Sequence, residues 1–207
     1  MTVLLHPTYF PSIWTGGVVA QNKDIIWEQK DNYQKQTFRN RTQILSPKGL
    51  LELTVPVQFT QNNRQLYREV LISKDHLWRQ QHWKSISIAY SSSPFFEFYK
   101  DDLEVLFENQ EDKLFDFNMN CIAVLFDLME LDLPIKFSST YDKPTNNVDL
   151  RKLVDPQFVC PNSLRYIQVF ENEIGYVPNL SLLDLLFHLG PASKSYLLGL
   201  PLHLIKY

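Results

Sequence analysis

Residues 28–41 hold a density of anion- and hydroxyl-binding side chains that packing alone does not require. A guanidinium matches the geometry of a phosphate or carboxylate group, and an amide side chain can bond to hydroxyl groups. The candidate substrate contacts in this stretch are Tyr33, Lys35, Arg39, Asn40 and Arg41. A solvated turn would have a similar composition, so both interpretations stay open.

A second candidate is the segment 6–11 (His-Pro-Thr-Tyr-Phe-Pro), which follows a short apolar run. The two prolines restrict φ and hold Thr8 and Tyr9 rigidly at the carboxyl end of a predicted strand. Ligands of α/β proteins commonly bind at that edge of the sheet. We therefore expect Thr8 and Tyr9 to contact substrate. The alternative is a rigid connection in which Tyr9 packs in the core.

His82 is the candidate general base, because an imidazole exchanges a proton near neutral pH. It shares one face of a predicted helix with Trp78, Ile86 and Tyr90, which recur every four residues. Tyr90 is a further candidate substrate contact at the end of that face. A core histidine with its hydrogen bonds satisfied would show the same pattern. Glu28, at the end of a predicted strand, would orient the base or replace it.

Several signatures of cofactor chemistry are absent from the sequence. It contains no P-loop, no Gly-x-Gly-x-x-Gly, no Gly-x-Ser-x-Gly and no His-Glu-x-x-His motif. The histidines lack metal-ligand spacing, and two cysteines, Cys121 and Cys160, cannot form a four-cysteine zinc site. We expect neither a metal nor another cofactor.

The composition is that of an ordinary globular protein. The 207 residues are 44% hydrophobic and 21% charged, and no apolar run approaches the ~20 residues that span a bilayer. A sequence pI of about 5.9 disfavours nucleic acid as a partner. Residues 1–84 nevertheless carry a net charge of +5 and the remainder −8, so the first half either binds an anionic small molecule such as a phosphate or nucleotide or is a solvated basic face. With no signal peptide evident at the amino end, we expect a cytoplasmic protein.

The elements that must position these residues change along the chain. Short strands are predicted for 3–5, 24–28 and 69–73, a helix for 12–22, and a hairpin around Ser46-Pro47-Lys48-Gly49. Helices are predicted for 75–90, for a segment with Ser93 as its N-cap and Pro94 as its first helical residue, and for 114–131. The sequence thus predicts an α/β (α+β) fold, with an amino-terminal mixed sheet and hairpin and a helical second half, in a single domain over residues 1–207.

The carboxyl-terminal third contains a long connection and one strongly predicted helix. Residues 138–163 are rich in Ser, Thr, Asn and Pro, and connections of this length are often functional. The helix over 182–189 starts at Ser181, is apolar nearly all round and ends at Gly190. Such a helix must be buried or lie in an interface, which leaves a homo-oligomer open.

The pattern of segments resembles the WbqC-like family of bacterial proteins. The matching pieces occur in order along nearly the whole chain, at residues 7–11, 33–41, 53–57, 82–90, 94–96 and 176–190. The resemblance implies a role in the assembly of bacterial surface polysaccharide, the O-antigen. One activity it suggests is transfer of glycine, or another acyl group, to a nucleotide-activated amino sugar.

Such a transfer needs a base for the attacking amine, donors for the oxyanion and cations for phosphate. We therefore expect one pocket to hold Tyr9, Glu28, Lys35, Arg39, Asn40, Arg41 and His82. The alternative function is that of a non-catalytic carbohydrate-binding or partner protein in the same pathway.

Overall fold

The computed structural model describes residues 2–58, 65–75, 77–108, 111–141, 148–161 and 164–205. Its first sheet has three parallel strands in the order β2-β1-β5, with β1 at Val3–Leu5, β2 at Ile25–Trp27 and β5 at Val148–Asp149. In register, Leu5 lies opposite Trp27 and Val3 opposite Val148. The central strand β1 therefore has one neighbour that follows it directly and one that arrives from far along the chain.

The second sheet is the predicted hairpin. Strands β3 (Arg41–Ser46) and β4 (Gly49–Thr54) pair antiparallel, with Ser46 opposite Gly49. Pro47 and Lys48 form the turn, and Gly49 adopts φ +108, which favours glycine. Leu53 is buried whereas Glu52 and Thr54 are exposed, so the predicted alternation of the strand is confirmed.

Seven helices lie in the described ranges. They are α1 (Ile13–Gln21), α2 (Leu77–Tyr90), α3 (Phe96–Glu108), α4 (Leu114–Leu128), α5 (Glu171–Ile174), α6 (Leu182–Leu189) and α7 (Ala192–Leu198). Their apolar faces join the buried faces of both sheets in one hydrophobic core. The α+β class predicted from the sequence is confirmed.

Helix α1 contains two glycines, and tertiary packing explains them. A Cβ on Gly16 would lie 2.6 Å from Leu182 of α6, and one on Gly17 would lie 2.5 Å from Leu200. Glycine therefore lets α1 approach its neighbours closely, which offsets its poor helix propensity. Ser12 caps the helix by accepting a hydrogen bond from the Thr15 N–H.

Two local predictions differ from the structure, and a third is mostly untested. The segment 69–73 forms only isolated bridges after a 3₁₀ turn at Tyr67–Glu69. Helix α3 begins at Phe96, because the Ser93 hydroxyl donates back to the Tyr90 carbonyl instead of capping the helix. The predicted surface loop 58–66 lies mostly outside the described residues.

The connection 138–163 is the most consequential difference, because it contains the strand β5. The 3₁₀ turn at Arg151–Val154 agrees with the helical turn that the sequence predicts near Leu150. A two-residue strand is too short to show any periodicity. Residues 142–147 of this connection lie outside the described ranges. Within those ranges, no helix has both the length and the apolar character needed to cross a membrane.

Candidate functional site

Polar side chains gather where the parallel strands end. His6 follows β1 and Glu28 follows β2, while Arg151 lies two residues beyond β5. Phe137 forms a parallel bridge with Trp27 and so extends the sheet beyond β2. Ser138 is the next residue and lies at the same edge of the sheet as His6 and Glu28. This edge is where open α/β sheets bind ligands, and β1 marks the point where the strand order reverses.

A cleft of about 510 Å³ opens beside these residues, and we call it the strand-end cleft. Its wall consists of His6, Asp31, Gln34, Lys35, Gln36, Thr37, Arg39, Tyr141, Arg151, Lys152, Val154, Asp155 and Gln157. Four of these side chains are cationic and two are carboxylates. The wall therefore carries an excess of positive charge that suits an anionic ligand.

Arg39 forms the inner wall and is held from two sides. Its Nη2 lies 3.0 Å from Asp31 Oδ2 and 2.7 Å from His6 Nε2, and its Nη1 lies 3.4 Å from the Thr37 hydroxyl. Arg39 and His6 are each only 2% exposed. The Nε–H of Arg39 is buried and has no hydrogen-bond partner among the described residues. The guanidinium is thus fixed in place with one donor unsatisfied.

Arg151 forms the other cationic wall and is fixed in a similar way. Its Nη2 donates to Asp149 Oδ2 at 2.7 Å, its Nε donates to Asp149 Oδ1 at 2.9 Å, and its Nη1 lies 3.4 Å from Glu28 Oε2. Glu28 is 1% exposed and accepts from the Ser138 hydroxyl at 2.7 Å and from the Lys30 N–H at 2.6 Å. Glu28 therefore supports Arg151 from behind the cleft wall.

The protonation states at this site follow from burial and from these pairs. Burial lowers the pKa of the His6 imidazole from 6.5 to about 4, against the raising effect of the nearby Asp31 carboxylate. For Asp31 the contacts with His6 and Arg39 outweigh burial, and its pKa is lowered. The paired Arg151 likewise holds the pKa of Asp149 below its usual range. At neutral pH the site therefore combines ionised carboxylates, charged arginines and a neutral imidazole.

His82 and Tyr9 lie elsewhere, and the expected convergence of the seven residues on one pocket is not what the structure contains, since only Lys35 and Arg39 of them line the strand-end cleft. The Tyr9 hydroxyl lies 3.0 Å from His82 Nδ1, and Tyr9 is completely buried. The rings of Trp78 and Phe117 pack around this pair. Burial lowers the pKa of His82 to about 4. His82 does not line the strand-end cleft.

The other candidates divide between the cleft and the protein interior. Lys35 and Arg39 line the cleft, whereas Tyr33 stacks on Tyr67 with ring centroids 6.2 Å apart. Asn40 donates to the Val55 carbonyl and so ties the loop to the hairpin. Tyr33 thus packs on the 3₁₀ turn at Tyr67–Glu69 and Asn40 on the end of the hairpin, and neither lines the strand-end cleft.

Thr8, Arg41 and Tyr90 also lie away from the cleft. Thr8 and Arg41 line a crevice of about 10 Å³, and Arg41 donates to Glu52 across the hairpin at 2.8 Å. Tyr90 is 1% exposed and packs on Phe187, with its hydroxyl near the buried Asp184 carboxyl. A crevice of that size has room for about one water molecule.

Sequence reasoning missed most side chains of the cleft wall, among them one imidazole, two carboxylates and two cations: His6, Asp31, Asp155, Arg151 and Lys152. His6 and Asp31 lay inside the segments singled out for chemistry but were not chosen. Arg151 and Lys152 lay in the long connection, whose length was the only signal of function. No group of three or more His, Cys, Asp or Glu side chains with metal-binding geometry occurs in the described part of the chain.

Comparisons with known proteins match the chain to one protein family. Residues 6–155 match the WbqC-like protein family, a span that includes nearly the whole cleft wall. The chain is 25% identical to the uncharacterized protein Rv1507c of Mycobacterium tuberculosis, over 94% of this chain and 96% of that protein. No solved structure matches.

Proposed function

Because the chain belongs to the WbqC-like protein family, we propose that it is a transferase of bacterial surface-polysaccharide biosynthesis. Its substrate is a nucleotide-activated amino sugar, bound in the strand-end cleft. The group transferred to the sugar amine is an acyl or aminoacyl group, such as glycine. The phosphates of the nucleotide face the cationic wall of the cleft.

The observation that carries this proposal is the pair of fixed arginines. Arg39 is held by Asp31 and His6, and Arg151 by Asp149 and Glu28. A guanidinium that is already oriented loses little conformational entropy when it binds a phosphate. Lys35 and Lys152 line the same cleft and add charge. A diphosphate is the chemical group that complements such a wall.

The transfer step requires one bond to form and one to break. The amine nitrogen of the sugar attacks the carbonyl carbon of an activated acyl donor, and a C–N bond forms. The bond from that carbon to the leaving group breaks, and the leaving group departs with the electron pair. The amine proton passes to Asp31, the ionised carboxylate of the cleft wall, while Arg39 stays bound to the nucleotide phosphates. Glu28 positions Arg151, and His82 takes no part.

A specific observation favours a second candidate function, that of a non-catalytic carbohydrate-binding protein. The two most buried acid–base groups beside the cleft, His6 and Glu28, are both engaged with other side chains. Tyr141, 53% exposed with the Arg151 guanidinium 4.9 Å above its ring centroid, offers a face on which a sugar or base can stack. Such a site binds its ligand without catalysing a reaction on it.

Calorimetric titration with a panel of nucleotide-activated amino sugars tests the proposal, with the free nucleoside diphosphate and the free amino sugar as separate arms. We expect the nucleotide-sugar and the diphosphate to bind and the free sugar not to bind. Arg39→Gln and Arg151→Gln each weaken binding about tenfold or more, because each removes a charge-assisted contact. Arg165→Gln is the matched control, since Arg165 is exposed and pairs with Glu171.

Two results would distinguish the candidate functions. Incorporation of a labelled acyl group into the amino sugar by the wild-type protein, lost in Asp31→Asn, supports the transferase. Tight nucleotide-sugar binding without incorporation from any activated donor supports the binding protein. If no anion binds, or if the control arginine matters as much as Arg39, the cleft is not the binding site.

A further inference from the structure

His6 makes a contact in the strand-end cleft whose chemistry is constrained. Nη2 of Arg39 lies 2.7 Å from His6 Nε2, which is a short hydrogen-bonding distance. A guanidinium has only donors and never accepts. The contact is attractive only when Nε2 presents its lone pair, so the proton of the neutral imidazole must lie on Nδ1.

A competing arrangement places the proton on Nε2 and directs it to Asp31. Oδ2 of Asp31 is 3.0 Å from Nε2, which permits that bond. It would, however, place two N–H groups against each other, because Nε2 and Arg39 Nη2 are only 2.7 Å apart. Water cannot relieve this repulsion, since both residues are only 2% exposed. The Asp31 carboxylate already accepts from Arg39 at 3.0 Å and needs no second donor there. The first arrangement leaves the buried Nδ1–H without a hydrogen-bond partner among the described residues. Two opposed N–H groups at 2.7 Å beside a guanidinium cost more than one unsatisfied donor, so the first arrangement is favoured.

We infer that His6 is a positioning residue, whose unprotonated Nε2 accepts a hydrogen bond from Arg39 and so holds that guanidinium against the cleft. Asp31 and His6 then act as two acceptors that fix one cation, and no proton is transferred through the imidazole. The inference deepens the proposed function and rests on it for the identity of the ligand. The tautomer itself does not depend on any ligand.

Groups from every element around His6 act on its protonation. Arg39 opposes a positive imidazole, and Asp31 and the Glu28 main chain favour one. From the neighbouring strand β5, Asp149 also favours it, since the two groups interact electrostatically. Burial dominates and lowers the pKa of His6 to about 4. The edge of the His6 ring faces Tyr67, whose own pKa is raised by burial.

Two variants of His6 test the inference, with inorganic pyrophosphate and uridine diphosphate as probes in calorimetry. The side-chain carbonyl of His6→Gln can accept from Arg39, so we expect its affinity to stay within about threefold of wild type. His6→Ala removes the acceptor, and we expect binding about tenfold weaker. Circular dichroism establishes that both variants are folded.

¹⁵N NMR of the ¹⁵N-labelled wild-type protein shows directly which ring nitrogen of His6 carries the proton. From pH 7 down to pH 5, we expect Nε2 of His6 to have the chemical shift of an unprotonated ring nitrogen. The wild-type affinity for pyrophosphate, divided by that of His6→Gln at each pH, falls as pH drops toward 4, because a protonated Nε2 repels Arg39. The division cancels the titration of the ligand itself.

The possible failures are distinguishable. A protonated Nε2 at pH 7 overturns the inference whether or not any anion binds. Equal loss of affinity in His6→Gln and His6→Ala overturns it as well, since the glutamine acceptor then fails to replace the imidazole. Absence of pyrophosphate and diphosphate binding by a wild-type protein with an unprotonated Nε2 contradicts the proposed function and leaves the hydrogen-bond assignment intact.

Discussion

Tyr9 and His82 are joined by a hydrogen bond of 3.0 Å that is buried between the loop after β1 and helix α2. The imidazole also has the Thr54 main chain as a hydrogen-bond neighbour. A neutral ring satisfies both contacts when Nδ1 accepts from the Tyr9 hydroxyl and Nε2 donates to the carbonyl. The pair therefore connects three elements, and its geometry is that of a structural contact.

Removing the Tyr9 hydroxyl should destabilise the fold. Tyr9→Phe leaves the Nδ1 of His82 buried without a donor, and we expect the free energy of unfolding to fall by about 1–3 kcal/mol. Urea denaturation measures the change. Tyr176→Phe, which removes an exposed hydrogen bond to the Leu164 carbonyl, should cost less. A His82→Gln variant that keeps its stability but loses all acyl transfer would show that His82 is catalytic, as the sequence suggested.

Stability should fall as the pH drops from 6.5 to about 4. In the folded protein the pKa values of His6 and His82 are lowered from 6.5 to about 4 by burial. The unfolded chain therefore binds protons first, and the stabilisation present above pH 6.5 is lost as the pH falls through this window. The buried Asp184 opposes the trend, because its raised pKa makes protonation favour the folded state.

A variant isolates the histidine contribution to this profile. Urea denaturation of the wild type and of His6→Gln/His82→Gln at a series of pH values yields the difference in unfolding free energy. As the pH falls from 6.5 to 4, the free energy of unfolding of the wild type should fall by more than that of the variant. Asp184 affects both proteins equally and so cancels in the difference. A pH-independent difference would show that the fold lowers the pKa of neither imidazole.

The sequence predicted the elements whose pattern is local. Alternation in 50–57 with Pro47 and Gly49 indicated the hairpin, and the Ser181 and Gly190 pair bounded α6 correctly. The recurrence of apolar residues at every fourth position of α2 predicted correctly that the His82 side chain points into the protein interior. It could not tell a core histidine from a catalytic one, because that choice depends on Tyr9, 73 residues away.

The site was predicted only in part, for a topological reason. Lys35 and Arg39 stood out by type and do line the cleft. Arg151 reaches it only because β5 pairs with β1, and a strand of two residues carries no pattern. Similarly, Gly16 and Gly17 are poor helix formers by type, and only their close approach to Leu182 and Leu200 explains their place in α1. Long-range pairing decided each case that local reasoning left open.

Glu28→Gln should destabilise the protein and weaken anion binding together. The neutral side chain no longer balances Arg151, whose side chain is 11% exposed, and it presents an amide to the donors of Ser138 and Lys30. We expect a loss of about 3 kcal/mol, typical of breaking a buried pair. Glu52→Gln disrupts the more exposed pair with Arg41 and should cost under about 1 kcal/mol. Equal losses in urea denaturation would contradict the support role of Glu28.

Gly190 closes helix α6 in a conformation that only glycine adopts readily, with φ +52 and ψ −125. A Cβ there would also meet the Phe95 ring at 2.5 Å, whereas one on Gly175, at φ +87, would meet nothing within 4 Å. Both Gly→Ala variants pay the backbone strain, and only Gly190→Ala adds a clash. We expect Gly190→Ala to lower the melting temperature clearly more than Gly175→Ala in calorimetry. Equal shifts would mean that Phe95 moves aside freely and that the α6 terminus is loosely packed.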